Sequence, residues 1–180
     1  MAGGAGTRLG QPKATVVLAG TTLVERAVDA LVPHCRRVAV VTRPTIVLPP
    51  LAAEVILDRP GPDSPLNGLA TGLAALDAER VLVLACDLPL AGSLIGRLAS
   101  APLPDPVVAA DGAGRAQPLC GRYARLPALA QCTTLLEEGE VRLLPLLDRL
   151  AASVVPARDE ELANVNSGED LERVAALLAR

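Results

Sequence analysis

Met1–Ala14 reads MAGGAGTRLGQPKA, with four glycines and a lysine ahead of the first segment that patterns as helix or strand. Glycine clusters of this kind let backbone amides approach an anion closely. Such loops hang from the end of a β-strand in a parallel sheet and feed a helix. The stretch therefore asks for a sheet of βα units behind it, and the rest of the chain can be read for that pattern.

Short apolar runs alternate with longer amphipathic ones along the 180 residues, as in βαβ units. Arg37–Thr42, Glu54–Asp58, Arg80–Asp87 and Asp105–Asp111 read as strands. Residues 22–34, 67–79, 91–100, 126–139 and 168–180 read as helices. Proline and glycine concentrate in RPTIVLPPLA, DRPGPDSPLNG and SAPLPDP, which read as loops within one domain. Ligands of parallel sheets bind at the carboxyl ends of the strands. Asp58 and Asp87 stand at such ends, where a carboxylate either caps a turn or helix or meets a ligand.

Composition narrows the function classes. Hydrophobic residues make up 51% and aromatics 1%, with no Trp or Phe, so the core is built from Leu, Val, Ile and Ala. A net charge of -3 with scattered arginines, and Tyr123 as the lone aromatic residue, disfavour nucleic-acid binding. No apolar run approaches the roughly 20 residues of a membrane span. The N-terminus lacks the regions of a signal peptide, so the expected location is cytoplasmic. Cys35, Cys86, Cys120 and Cys132 form no CxxC pair and read as neutral or buried thiols.

The glycine loop satisfies neither familiar phosphate fingerprint. Gly10 is followed by Gln11, Pro12 and Lys13 instead of Lys-Ser/Thr, and Leu9 stands where a dinucleotide loop has its last glycine. Gly3, Gly4, Gly6 and Arg8 remain as an anion cradle or a flexible tail. Lys13 is the one lysine among 17 lysines and arginines. A compact ammonium on a flexible stem suits a crowded phosphate pocket better than a planar guanidinium does. The asparagines are equally sparse: Asn67, then Asn164 and Asn166 in ANVNSGEDL, where Ser167 and Asp170 signal a helix start. Their amide oxygens suit a hard cation or a polar ligand. One histidine, His34, and no Ser/His/Asp arrangement leave hydrolysis by an activated nucleophile without support. Nucleotidyl transfer to a phosphate needs no strong base, because the attacking oxygen is already anionic; it needs positive charge and positioning.

MAGGAGTRLGQPK resembles the L-A-G-G-x-x-x-R-M/L-G-x-x-K pattern of the molybdenum cofactor guanylyltransferases, with Met1 where Leu is usual. LDRPGPDSPLNGLATGL, CDLP, GRAQPLCGRY and NVNSGEDL resemble that family's further motifs, in the same order and across nearly the whole chain. The resemblance implies an α/β, three-layer Rossmann-like nucleotidyltransferase fold, a mostly parallel sheet with helices on both faces. The single domain 1–180 would hold its nucleotide-binding part in about 1–90 and its acceptor part in about 91–180. It implies GMP transfer from GTP to the phosphate of molybdenum-loaded molybdopterin, with Mg²⁺ and release of pyrophosphate. Transfer from CTP, or nucleotide binding without catalysis, are the alternatives. Molybdenum-insertion proteins and molybdoenzymes would be the protein partners.

The resemblance also assigns roles residue by residue. Met1, Ala2, Gly3 and Gly4 would lie against guanine and phosphates, Arg8 and Lys13 on the phosphates, and Asp58 near the nucleoside. Leu66 and Gly68 would line the base pocket. Asp87 would bind Mg²⁺ and nucleotide, Gln117 and Asn164 would face the acceptor, and Asn166 the acceptor or the metal. Two positions depart from the family: Thr42 and Arg43 stand where Asn is frequent, and Gly168 where Pro is common. The resembled fold also has a central strand immediately before the loop. The expectation is a translated start a few residues upstream of Met1, or else a sheet lacking its first strand, with a mobile loop and weakened GTP binding.

Overall fold

The computed structural model describes residues 1–3 and 9–179. A 3-10 turn at Lys13–Thr15 leads into a small antiparallel hairpin, β1 (Val17–Leu18) and β2 (Thr21–Thr22). Helix α1 (Leu23–Leu31) follows, then β3 (Ala39–Thr42), β4 (Glu54–Leu57), α2 (Pro65–Ala75), β5 (Arg80–Leu84) and α3 (Gly92–Ser100). The second half runs β6 (Val107–Ala110), β7 (Ala116–Ala124), α4 (Arg125–Glu137), α5 (Leu144–Arg149), β8 (Ser153–Pro156) and α6 (Gly168–Leu178).

Strands β3 and β4 pair in parallel, and β5-β7-β6-β8 form a four-stranded sheet in which β7 runs antiparallel to both neighbours and β6 and β8 are parallel. Met1 and Ala2 join the two pieces. The Met1 nitrogen donates to the Leu84 carbonyl at 2.9 Å, Cys86 N donates back to the Met1 carbonyl at 3.1 Å, and Ala2 N donates to the Val41 carbonyl at 2.9 Å. This is the alternation of a parallel strand lying between β3 and β5, so the loop is tied to the sheet at its first two residues. Between β3 and β5 lies a cavity of about 660 Å³ lined in part by Leu31, Ala39, Val81 and Leu82.

Alternating strand residues feed two apolar layers, as the period of two requires. Leu84, Val107, Ala109 and Cys120 pack beneath α1 and α3 against Val28, Leu94, Ile95 and Leu98. Val81, Val83, Val108 and Tyr123 face α2, α4 and α5 through Leu69, Leu73, Cys132 and Leu146. A third cluster sets Val165 and Val174 of the C-terminal segment against Val16, Leu18 and Leu23. Helices thus cover both faces of the sheet, as expected.

Helix ends follow local chemistry. Thr22 and Glu25 form a capping box on α1, Ser64 caps α2 with Pro65 in its first turn, and Ser167 with Asp170 caps α6. The Ser64 cap starts α2 earlier than the hydrophobic period suggested, and Pro33 turns the end of α1 into a 3-10 segment. The β1–β2 hairpin, α5 and β8 are elements the sequence pattern did not reveal. Cys86, Cys120 and Cys132 are buried; burial pushes the Cys86 thiol up to about 11 and the other two up to about 12. No described helix is long and apolar enough to cross a membrane.

Candidate functional site

The site lies where the Met1–Gly3 segment, β3, β4 and β5 end together. Lys13 opens the 3-10 turn, held by the fully buried Ala14 beside it and by Val16 N donating to the Lys13 carbonyl at 3.1 Å. Its Nζ donates to Asp87 Oδ2 at 2.8 Å and to Asn166 Oδ1. Both partners of the ion pair are mostly shielded, with side chains 19% and 25% exposed. Three residues far apart in sequence therefore meet at one ammonium.

Each partner is fixed by its backbone. Asp87 follows β5 after Ala85 N bonds to the Leu119 carbonyl at 2.7 Å and Cys86 N to that of Met1. The Asp87 carbonyl accepts from Val165 N at 2.9 Å, which pins the C-terminal segment beside it. Asp170 of α6 then reaches back and accepts from Asn166 N at 3.0 Å and Ser167 N at 3.1 Å. The Asn166 amide foremost, then the Ser167 hydroxyl and Arg173, hold the Asp170 carboxyl below the usual range. The NVNSGEDL motif is thus a helix cap whose geometry delivers Asn166 to Lys13. Asn164 is exposed, on the far side of the buried Val165.

A second group surrounds Asp58, whose amide donates to the Thr42 carbonyl at 2.9 Å at the end of β4. Its Oδ1 is buried without a hydrogen-bond partner. Burial pushes the Asp58 carboxyl above its ordinary value, helped by the Asp63 charge and opposed by Arg43 and the Met1 amine. Gly68 lets Met1 and Asp58 close in on it: a Cβ there would clash with Met1 Cε and meet Asp58 Oδ1 at 3.3 Å. Arg43 forms an ion pair with Asp63. One cavity of about 220 Å³ is lined by Met1, Gly3, Lys13, Arg43, Asp58, Asp63, Gly68 and Asp87.

Other sequence candidates fall elsewhere. Gly4 and Arg8 lie outside the described residues. Ala2 is buried in the core with its carbonyl near Thr42 Oγ1 at 3.5 Å. The Leu66 side chain is turned fully into the core, while its neighbours Pro65 and Gly68 line the cavity. Gln117 of β7 pairs with Ala109 of β6, half-buried and away from the cavity lining. Asn67 is a loop anchor: its amide donates to the Arg59 carbonyl at 3.0 Å and accepts from Arg59 Nε at 3.1 Å. Asp63 was missed because its stretch, DRPGPDSP, reads only as a turn-rich loop.

Among the described residues no group of three His, Cys, Asp or Glu side chains is assembled for a metal. Asp87 and Asn166 do present a carboxylate and an amide oxygen to one cation, the Lys13 ammonium. That hard-oxygen pair fits Mg²⁺, which commonly takes one or two protein ligands beside substrate phosphates and waters.

Residues 1–154 match the family described as MobA-like NTP transferase domain. A probable molybdenum cofactor guanylyltransferase of Chloroflexus aggregans is 31% identical over 99% of this chain and 92% of that protein. A protein of the same description from Mycobacterium tuberculosis is 36% identical over 95% of this chain and 89% of its own length. The crystal structure of molybdopterin-guanine dinucleotide biosynthesis protein A from Archaeoglobus fulgidus superposes with a TM-score of 0.73 at 22% identity, covering 99% of this chain and 96% of that one.

Proposed function

Because the chain belongs to the MobA-like NTP transferase family, a family of nucleotidyltransferases, we propose that it transfers GMP from GTP to the phosphate of molybdenum-loaded molybdopterin, releasing pyrophosphate. The observation that carries this reading is the meeting of Lys13, Asp87 and Asn166 in one place, with Lys13 and Asp87 lining the cavity that also holds Asp58.

A phosphate oxygen of the pterin attacks the α-phosphorus of GTP, and the bond from that phosphorus to the bridging oxygen of the β-phosphate breaks. The nucleophile arrives ionised, so the protein supplies alignment and charge in place of a general base. Lys13 leaves Asp87 and Asn166 for the phosphates and offsets the charge that develops on the departing pyrophosphate. Asp87 and Asn166 would hold Mg²⁺, which supplies positive charge against the phosphate oxygens. Asp170 and Val165 keep Asn166 and Asp87 in register during the exchange. Asp58 accepts from the nucleoside, and the cavity lined by Gly3 and Gly68 takes the base. Gly4 and Arg8 complete the phosphate cradle, while Gln117 and Asn164 belong to the acceptor side. The product would pass to molybdenum-insertion proteins or molybdoenzymes in the cytoplasm.

The test is dinucleotide formation from GTP and loaded molybdopterin by wild type, Lys13→Ala and Asp87→Ala. Both variants are expected to lose turnover by a factor of about 1,000 with unchanged circular dichroism. Near-normal activity of Asp87→Ala with Mg²⁺ present would refute its role.

A further inference from the structure

The nucleoside end of the cavity carries a charge pattern that phosphoryl chemistry does not use. Arg43 stands at the end of β3, where its guanidinium is held by Asp63, itself mostly exposed at the rim. Arg43 Nε and Asp58 Oδ2 both come to 3.7 Å from the position a Cβ on Gly3 would take. A fork of donors and a carboxylate therefore flank one spot at the floor of the cavity, and the carboxylate has an oxygen, Oδ1, that is sealed and unpartnered.

We propose that Arg43 is a specificity-determining residue that reads guanine together with Asp58. The inference rests on the transferase reading above. Guanine alone among the four bases sets two donors, N1–H and the 2-amino group, side by side next to an acceptor, O6. The two donors face Asp58 with Oδ2 nearest, and O6 receives the Arg43 fork, an established geometry for reading guanine. Cytosine in the same pose turns its 4-amino group toward the guanidinium and leaves Asp58 facing acceptors. A buried polar group left unpaired by the wrong ligand discriminates strongly. In the free protein Asp63 holds the guanidinium at the rim, and binding exchanges one partner for the other.

The experiment is equilibrium binding, without acceptor, of GTP, CTP and 2-aminopurine riboside triphosphate, which lacks both O6 and the N1 hydrogen, to wild type, Arg43→Ala, Arg43→Lys and Asp63→Asn. Wild type binds GTP at least about tenfold tighter than the other two. Arg43→Ala weakens GTP by about tenfold or more and changes the others less than about twofold. Arg43→Lys keeps a cation for Asp63 but lacks the fork, and it loses the GTP preference as well. Asp63→Asn frees the fork and tightens GTP by about two- to fivefold. Equal loss for all three triphosphates in both Arg43 variants, or an unchanged GTP preference, overturns the assignment. If wild type still releases pyrophosphate from GTP with loaded molybdopterin, only the Arg43 assignment falls. If wild type binds no triphosphate, the transferase reading falls with it.

Discussion

Asp58→Asn separates what the site costs the fold from what it gives the nucleotide. The substitution is nearly isosteric and replaces a carboxylate whose Oδ1 is buried without a partner. Asparagine leaves a polar atom at that spot but removes its charge, and an unsatisfied buried group, which costs about 1–3 kcal/mol when neutral, costs more when charged. Only one of the two oxygens is sealed, and Arg43 and the Met1 amine lie close enough to favour the ionised form. The lower end of the range therefore applies, and the variant should be more stable than wild type by about 1 kcal/mol. For a chain of this size that corresponds to a rise in Tm of about 2–4 °C. The pH dependence supplies the control. Burial raises the folded-state value above the ordinary 3.8, so the unfolded chain releases this proton first as pH rises. The penalty is absent below pH 3.8, grows through the raised folded value and is complete at neutral pH. The stability gap between variant and wild type should thus be full at pH 7 and close as pH falls toward 4. Nucleotide binding moves the opposite way, because the amide cannot accept two donors with a full charge. GTP affinity should fall by about 2 kcal/mol, or about thirtyfold. Urea denaturation across pH, with GTP titrations on the same samples, measures both. A variant less stable than wild type at pH 7, or one with unchanged GTP affinity, would refute the reasoning.

Other positions test the scaffold. Glu161 accepts from Ser93, Arg97 and Arg158 and links α3 to the segment leading toward Asn166. Burial opposes its ionisation, yet these bonds bring its carboxyl down to about 2 from 4.5. Its stabilisation, about 3 kcal/mol, should be full above pH 4.5 and fade as pH falls toward 2, and Glu161→Gln should abolish that limb of the pH–stability curve. Gly121→Ala places a Cβ 2.7 Å from the Val107 carbonyl oxygen across the β6–β7 ladder. It should destabilise by about 2 kcal/mol or more in urea, and an unchanged midpoint would contradict the packing. Gly68→Ala meets only the end of the flexible Met1 side chain and one oxygen of Asp58. It should leave the stability measured in urea within about 1 kcal/mol of wild type yet weaken GTP binding by about tenfold or more; intact affinity would show that the base sits elsewhere.

The site was legible wherever one residue type carried the signal alone. Lys13 stood out as the lone lysine, Asp87 as a carboxylate closing a Val/Leu strand, and Asn166 as an asparagine just ahead of a helix cap; the structure brings these three together. Asn67 gave the same signal and proved to hold a loop, because an amide that bonds both ways serves backbone as readily as ligand. Arg43 was visible only as a departure from the family pattern, and Asp63 was not visible at all. Their pairing depends on where two loops converge. In the fold, the β1–β2 hairpin escaped notice because strands of two residues hold too few positions to show a period, and β8, SVVP, ends in a proline that reads as a loop. β7 turns back directly from β6 through residues 111–115, but its antiparallel pairing with β5, distant in sequence, is encoded by no local pattern.

Pyrophosphate release from each of the four nucleoside triphosphates, in the presence of molybdenum-loaded molybdopterin and Mg²⁺, bears most directly on the central claim. The account predicts release with GTP, dependent on the pterin and lost in Asp87→Ala. Release with CTP in preference to GTP would contradict the guanine assignment, and GTP binding without any pyrophosphate would contradict the transferase itself.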